Sequence, residues 1–308
     1  MMDVRSPPMV NMNNERKNIM AQKKKTTKKT KNQSFLELEK MSWKKIDDLP
    51  RDKTVFFLPI SPLEEHGPHL PVGTDLLTTK DTAEQAMKTV MKKDKSISCV
   101  LLPAIPLGFC AFNKDFPGTI TVDSKIVRDV VFSFGEALAQ HGFQYLVICT
   151  YHMALSHLKG IYTAMQKLRK KYQMVVYEPW GPYFYSDKID KQEPKLGFDT
   201  SKEVHAGFRE TSLMKYQYPY LLHPSYQNLQ SIYRDLQSPK VIGKSFKDLG
   251  LTDGYVGSPA KADANYGRWF FQFTVDCYVD AVFSMIKREP LLDLPRSVKS
   301  NMKLLFWQ

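Results

Sequence analysis

Short apolar runs recur along the chain, separated by longer segments whose apolar positions repeat at helical spacing. Residues 55–60 (VFFLPI) read as a short buried strand, and a helix over 76–92 follows. Residues 97–105 (ISCVLLPAI) form a second strand-like run. Asp123 or Ser124 can cap a helix reaching about Gln140, with Val127, Val130, Val131, Phe134 and Leu138 on one face. Residues 145–150 (YLVICT) predict a third strand. A helix from about His157 to Lys171 aligns Leu158, Ile161, Met165 and Leu168, and 174–177 (MVVY) predicts a fourth strand. Strands alternating with helices predict an α/β fold with a parallel sheet covered on both faces. The stretch 178–204, rich in Pro, Gly, Asp and Lys, reads as a long loop of the kind that often carries function. A last helix is expected from roughly Ala264 to Ile286, and the apolar ending LLFWQ should dock on the body.

Charge divides this pattern into two parts. The 308 residues carry a net charge of +12. Residues 1–34 hold nine Lys/Arg and two acids, Asp3 and Glu15, so this segment alone carries +7. It lacks an apolar pattern that could offset the entropy of ordering, and it predicts a disordered basic tail before a single domain over 35–308. Such tails can touch nucleic acid or anionic lipid, but a charge run is unspecific, and a solvated extension is the simpler expectation. The chain as a whole has an ordinary globular balance, with 43% hydrophobic and 25% charged residues. No apolar run reaches the length of a membrane span, and the N-terminus lacks the apolar core of a secretory signal. Cys99, Cys110, Cys149 and Cys277 show no paired spacing, so buried free thiols and a cytoplasmic setting are expected.

The candidate chemistry sits where two predicted strands end. SPLEEHGPHLPVGTD (61–75) follows the first strand, and ligands of open parallel sheets bind beyond the carboxyl ends of strands. Glu64 and His66 are two apart, so in an extended segment they face one side. Gly67, Pro68, Pro71 and Gly73 can turn the chain so that Asp75 returns to the same place. After the third strand, CTYHMALSH offers His152 and His157. A third segment, EVHAGFRETS (203–212), offers Glu203, His205 and Glu210. A lone His or Glu is most often structural, but three such clusters after strands and loops point to one site. Oxygen and nitrogen donors in this mixture suit Zn²⁺, Mn²⁺ or Fe²⁺.

These segments resemble the creatininase family of metal-dependent amidohydrolases. PISPLEEHGPHLPVGTD is similar to the family's Glu-x-His-Gly-Pro-His-Leu-Pro run and its following Gly-Thr-Asp. FPGTITV (116–122), EVHAGFRETSLM (203–214) and VGSPAKADANYGRWFF (256–271) resemble three further family segments, in family order. The resemblance implies a three-layer α/β/α sandwich with a mostly parallel sheet, a homo-oligomer (a hexamer in the family) and a small-molecule substrate. It implies one or two divalent metals per chain, Zn²⁺ first and Mn²⁺ or Fe²⁺ as alternatives. Glu64, His66, Asp75 and His152 match the family's ligands, with Asp75 as the bridge and Glu210 as a further candidate. His205 matches a histidine with an acid/base role, and Glu64 is a second candidate for moving protons.

The chain departs from the family in two places. Where the family has Asn-Gly-His-Gly-Gly-Asn, this chain has Thr150, Tyr151, His152, Met153, Ala154 and Leu155, and creatininase itself carries a metal-binding Glu at the place of Ala154. Asn113 and Lys114 stand where many members carry Glu-His. Creatinine itself is therefore not the expected substrate. The function implied is hydrolysis of a C–N bond in a small cyclic amide or formamide by metal-activated water. The alternative is a degenerate binding or scaffolding protein on the same fold.

Overall fold

The computed structural model describes residues 35–236, 241 and 243–305. The segment 1–34, expected to be a disordered basic tail, and residues 306–308 of the LLFWQ ending lie outside them, and Leu304 of that ending is 78% exposed. Six strands form one sheet: β1 (Leu36–Glu37), β2 (Thr54–Ser61), β3 (Ser98–Leu101), β4 (Ile105–Pro106), β5 (Tyr145–Cys149) and β6 (Val175–Tyr177). Their order is β1-β3-β2-β5-β6, with β4 extending the β3 side of β2, and every pairing is parallel. The principal helices are α1 (Thr74–Lys93), α2 (Ser124–Gln140), α3 (Leu155–Tyr172), α4 (Phe208–Gln217), α5 (Ala264–Lys287) and α6 (Arg296–Leu304).

All eight residues of β2 are buried because both faces of the central strand are covered. Phe56, Leu58 and Ile60 pack in one core with Val127 and Val131 of α2 and Leu158 of α3. Val55 and Phe57 pack in the other with Ala83 and Met87 of α1 and Val279 of α5. Alternate residues of one strand thus feed two cores, and the result is the expected three-layer α/β/α sandwich. Helices α2 and α3 approach closely because Gly160 leaves room: a Cβ there would lie 2.6 Å from the Ser124 carbonyl.

The differences from the expected elements have local causes. The run 97–105 is two strands rather than one, β3 and β4, with Pro103 between them. The expected loop 178–204 contains short helices at Gly181–Phe184 and Asp187–Gln192. Helix α4 was not read from the sequence, since Gly207 and two polar residues in its first turn mask its apolar face. Helix α6 lies in a segment with only one buried residue, Met302.

The topology determines where a site can form. From β2 the chain crosses by α1 to β3 on one side, then returns by α2 to β5 on the other. The loops that leave β2 and β5 therefore diverge over opposite faces and open a crevice at the carboxyl end of the sheet.

Candidate metal centre

The loop between β2 and α1 occupies that crevice and folds back on itself. A His66–Leu70 bridge, with Gly67 in the left-handed region at φ 68, closes its tip. The Glu64 amide donates to the Val72 carbonyl (2.9 Å), which brings the start of α1 beside Glu64. Asp75 lies in the first turn of that helix, where the positive end of the backbone dipoles favours a carboxylate. It does not cap the helix: Gly73 is the N-cap, with no side-chain bond.

Glu64, His66, Asp75 and His152 all meet in the interior, 1–7% exposed. His152, just beyond β5, puts Nδ1 2.9 Å from Glu64 Oε2 and 3.1 Å from Asp75 Oδ2. His66 puts Nε2 3.3 Å from Asp75 Oδ1 and 3.8 Å from Glu210 Oε2. Each histidine turns its other nitrogen to a main-chain carbonyl, which can only accept. His66 Nδ1 donates to Glu64 (2.9 Å), and His152 Nε2 donates to Phe109 (2.8 Å). Such a bond fixes the tautomer and frees the facing nitrogen as a ligand.

The two oxygens of Asp75 thus face two donor sets. One is Glu64, Asp75 and His152; the other is His66, Asp75 and Glu210. A third grouping, Glu64, His66 and His205, overlaps both, and within each set the donor atoms lie within 4.8 Å of one another. His66 Nε2, Asp75 Oδ1 and Glu64 Oε2 are buried without a hydrogen bond, although each lies close to the others. Buried polar atoms are almost always satisfied. Three orphaned donors converging from one folded-back loop and the helix start it leads into fit divalent cations between them.

Glu210 comes from the first turn of α4, and the Ala206 amide donates to its Oε2 (2.5 Å). It completes the donor set of His66 and Asp75. His205 is held by a two-way main-chain bridge to Val256. Its Nε2 lies 2.7 Å from the Glu65 carbonyl and 2.8 Å from the Asn113 amide nitrogen.

Two candidates do not join the cluster. Glu203 turns to the N-terminus of α4, where one oxygen accepts from the amides of Phe208 (2.6 Å) and Ser258 (3.1 Å). It sits between Gly207 and Gly257, where a Cβ on either would lie 2.2 or 2.3 Å from that oxygen. His157 is fully buried behind His152 and reaches none of the carboxylates of the cluster. Two contributors have no signature in the sequence, the main-chain carbonyl of Phe109 and the side chain of Asn113 as a partner of His205. Any residue can supply a carbonyl, and Asn113 stands out in sequence only as a departure from the family pattern. Glu65, next to two donors, points the other way along the extended segment, and its Oε1 accepts from the Gly67 amide (2.6 Å).

With no cation bound, protons take the place of metal charge. Burial alone would lower the pKa of His66, but the Asp75 charge and contact outweigh it and push His66 up to about 10. Burial likewise opposes the charged form of His152, and Glu64 and Asp75 raise it well above the usual range. Burial would raise Glu64 and Asp75, yet the histidines hold both down as carboxylates. Burial pushes Glu210 up to about 7, and it lowers His205 to about 4, aided by the His66 charge. A histidine with a raised folded pKa stabilises the fold below its unfolded value, here about 6.5, and loses that contribution as pH rises through its folded value. The metal-free protein is therefore expected to lose stability between about pH 6.5 and about pH 10. Denaturant midpoints across that window check this, and a midpoint that climbs with pH contradicts it.

An open parallel sheet with a buried histidine–carboxylate cluster at its switch point defines an α/β protein with a candidate metal centre. The chain belongs to the creatininase family: the family's model, described as creatinine amidohydrolase, matches residues 39–282. Among curated relatives it is 27% identical to the creatinine amidohydrolase of Pseudomonas putida over 198 residues, 59% of this chain and 72% of the relative. It is 23% identical to the mycofactocin precursor peptide peptidase of Mycobacterium ulcerans over 242 residues, 76% of this chain and 86% of the relative. A manganese creatininase structure superposes with a TM-score of 0.65 at 22% identity, covering 82% of this chain and 99% of that one. A putative creatinine amidohydrolase from Bacteroides fragilis gives 0.63 at 21% identity, covering 82% and 97%. At these identities the structural likeness speaks for the fold. Among the described residues no helix is long and apolar enough to cross a membrane.

Proposed function

We propose that the protein is a metal-dependent amidohydrolase that cleaves a C–N bond of a small amide, cyclic or N-formyl. The observation that carries this reading is the convergence of unsatisfied donors on both sides of Asp75. Glu64, Asp75 and His152 would hold one divalent cation, and His66, Asp75 and Glu210 a second. The relatives add support, since one is a creatinine amidohydrolase and others are peptidases of a precursor peptide, both acting on an amide-type bond. Manganese and zinc forms among the creatininase structures favour those two ions.

A divalent cation bound there supplies a more acidic water and a polarised carbonyl. His205 is neutral at neutral pH and stands at the edge of the donor cluster, so it can take the proton of the attacking water. The same imidazolium then gives its proton to the departing nitrogen, so that water is consumed and one carboxylic acid and one amine are formed. Glu64 is held ionised by its histidine neighbours, which suits a ligand rather than a proton carrier. Glu210 is 20% exposed at its side chain and lies on the more open side of the cluster. Tyr151, where the family carries glycine, packs edge-on against Trp180 and Phe270. It fills space beside the centre and argues for a substrate shaped differently from creatinine. A homo-oligomer and a cytoplasmic setting remain part of this reading.

The test is a hydrolysis screen of cyclic amides, formamides and short peptides with protein reconstituted with Mn²⁺ or Zn²⁺. Cation-dependent release of a carboxylate and an amine supports the proposal. Stoichiometric cation without turnover on any class favours the degenerate binding protein.

A further inference from the structure

His157 takes no part in the donor sets, yet it is wholly buried and meets polar groups on both ring nitrogens. The Phe109 amide donates to its Nδ1 (3.4 Å). An amide N–H can only donate, so Nδ1 carries no proton and Nε2 must carry it. Nε2 faces Thr150 Oγ1 at 3.3 Å, where the hydroxyl accepts. The other end of the same residue, the Phe109 carbonyl, accepts from His152 Nε2 at 2.8 Å. A carbonyl can only accept, so Nε2 of His152 carries a proton and Nδ1 is the nitrogen turned toward Glu64 and Asp75. Phe109 is thus gripped at its amide by one histidine and grips the other through its carbonyl.

Two further contacts act on the same ring. His157 packs edge-on against His152, with ring centroids 5.2 Å apart at 76°. Thr150 Oγ1, the acceptor for His157, also accepts from the His152 main-chain amide (3.2 Å). It contacts Ser61 Oγ at the end of β2 (3.1 Å), and Ser61 Oγ contacts Thr79 Oγ1 of α1 (2.9 Å). The segment that carries Phe109 has no slack beside His157: a Cβ on Gly108 would lie 2.6 Å from Pro62 Cδ and 3.0 Å from His157 Nδ1.

We infer that His157 is a positioning residue for His152, holding the Phe109 peptide so that His152 keeps Nε2 on the Phe109 carbonyl and presents Nδ1 to the cation side of the cluster. This rests on the reading of His152 as a ligand. Outer partners of ligating histidines typically account for about 10–100-fold in metal affinity.

The test uses the full chain, His157→Phe and His157→Gln, with Mn²⁺ and Co²⁺ as probes. His157→Phe keeps a ring and loses both nitrogens, whereas the amide of His157→Gln can still accept from Phe109. The expected result is about 10–100-fold weaker Mn²⁺ binding and an altered Co²⁺ absorption spectrum in His157→Phe, with smaller changes in His157→Gln. A purely structural role would lower the metal-free unfolding temperature and leave affinity and spectrum unchanged in the folded protein, which overturns the inference. Nitrogen-15 NMR of the wild type decides the matter even where a variant fails to fold. His157 protonated at Nε2 and bare at Nδ1 supports the inference, and the reverse tautomer overturns it. Absence of any bound cation in the wild type defeats the metal-centre reading itself, whereas wild-type binding untouched by His157→Phe defeats only the positioning role.

Discussion

Asp75→Asn is expected to abolish tight cation binding while leaving the metal-free fold intact. Asp75 is the residue common to both donor sets, with Oδ2 toward His152 and Oδ1 toward His66. An amide nitrogen offers no lone pair to a cation and the remaining amide oxygen carries no charge, so one set loses its donor and the other keeps only a weaker, neutral one. Changes behind a ligand cost about 10–100-fold, and a shared ligand should cost more than that. The helix provides the control. Because Gly73 is the N-cap and Asp75 makes no capping bond, losing the carboxylate removes no cap. A second consequence follows from charge. Asp75 is the leading influence raising His66, so the His66 pKa should fall from about 10 in the variant. Metal analysis and a histidine titration by NMR read the two effects. Wild-type metal content in Asp75→Asn would remove Asp75 from the centre.

His205→Ala is expected to cut turnover by about 10²–10⁴-fold with bound cation largely retained. Its Nε2 is occupied by the Glu65 carbonyl and Asn113, so it stands beside the donor sets around Asp75 rather than inside them. It also falls in the overlapping group with Glu64 and His66. Equal losses of cation and turnover would therefore identify it as a ligand. The measurement is kcat on the substrate class found by the hydrolysis screen, together with metal content of the same preparation.

The sequence made β2, β3, β5 and β6 legible because each is a dense apolar run beside helices of clear period, whereas β1, only Leu36 and Glu37, carries no such signal. Buried on both faces, β2 and β5 have no alternation to hide, and Leu158, Ile161 and Met165 mark the covering helix at helical spacing. Helix α4 was not legible, because its first turn serves the site: Arg209 and Glu210 occupy positions that would otherwise show an apolar face. Glu64, His66 and Asp75 were readable from their spacing and from the turn-forming residues between them. Their division into two sets around one carboxylate was expected only from the family resemblance, and the side-chain distances give it a geometry. Glu203 misled, because an acid near a histidine and an acid beneath a helix N-terminus look the same in sequence. Its bonds to the Phe208 and Ser258 amides make the distinction. The part played by the Phe109 main chain lies outside any sequence pattern, since every residue has a carbonyl and only the fold decides which one meets His152.

The central claim is that one carboxylate, Asp75, serves two cation sites. Anomalous X-ray diffraction from crystals saturated with Mn²⁺ or Zn²⁺ tests it most directly. The account predicts two anomalous peaks on either side of Asp75, one against Glu64 and His152 and the other against His66 and Glu210. A single peak held by Glu64, His66 and His205, or no peak beside Asp75, would contradict it.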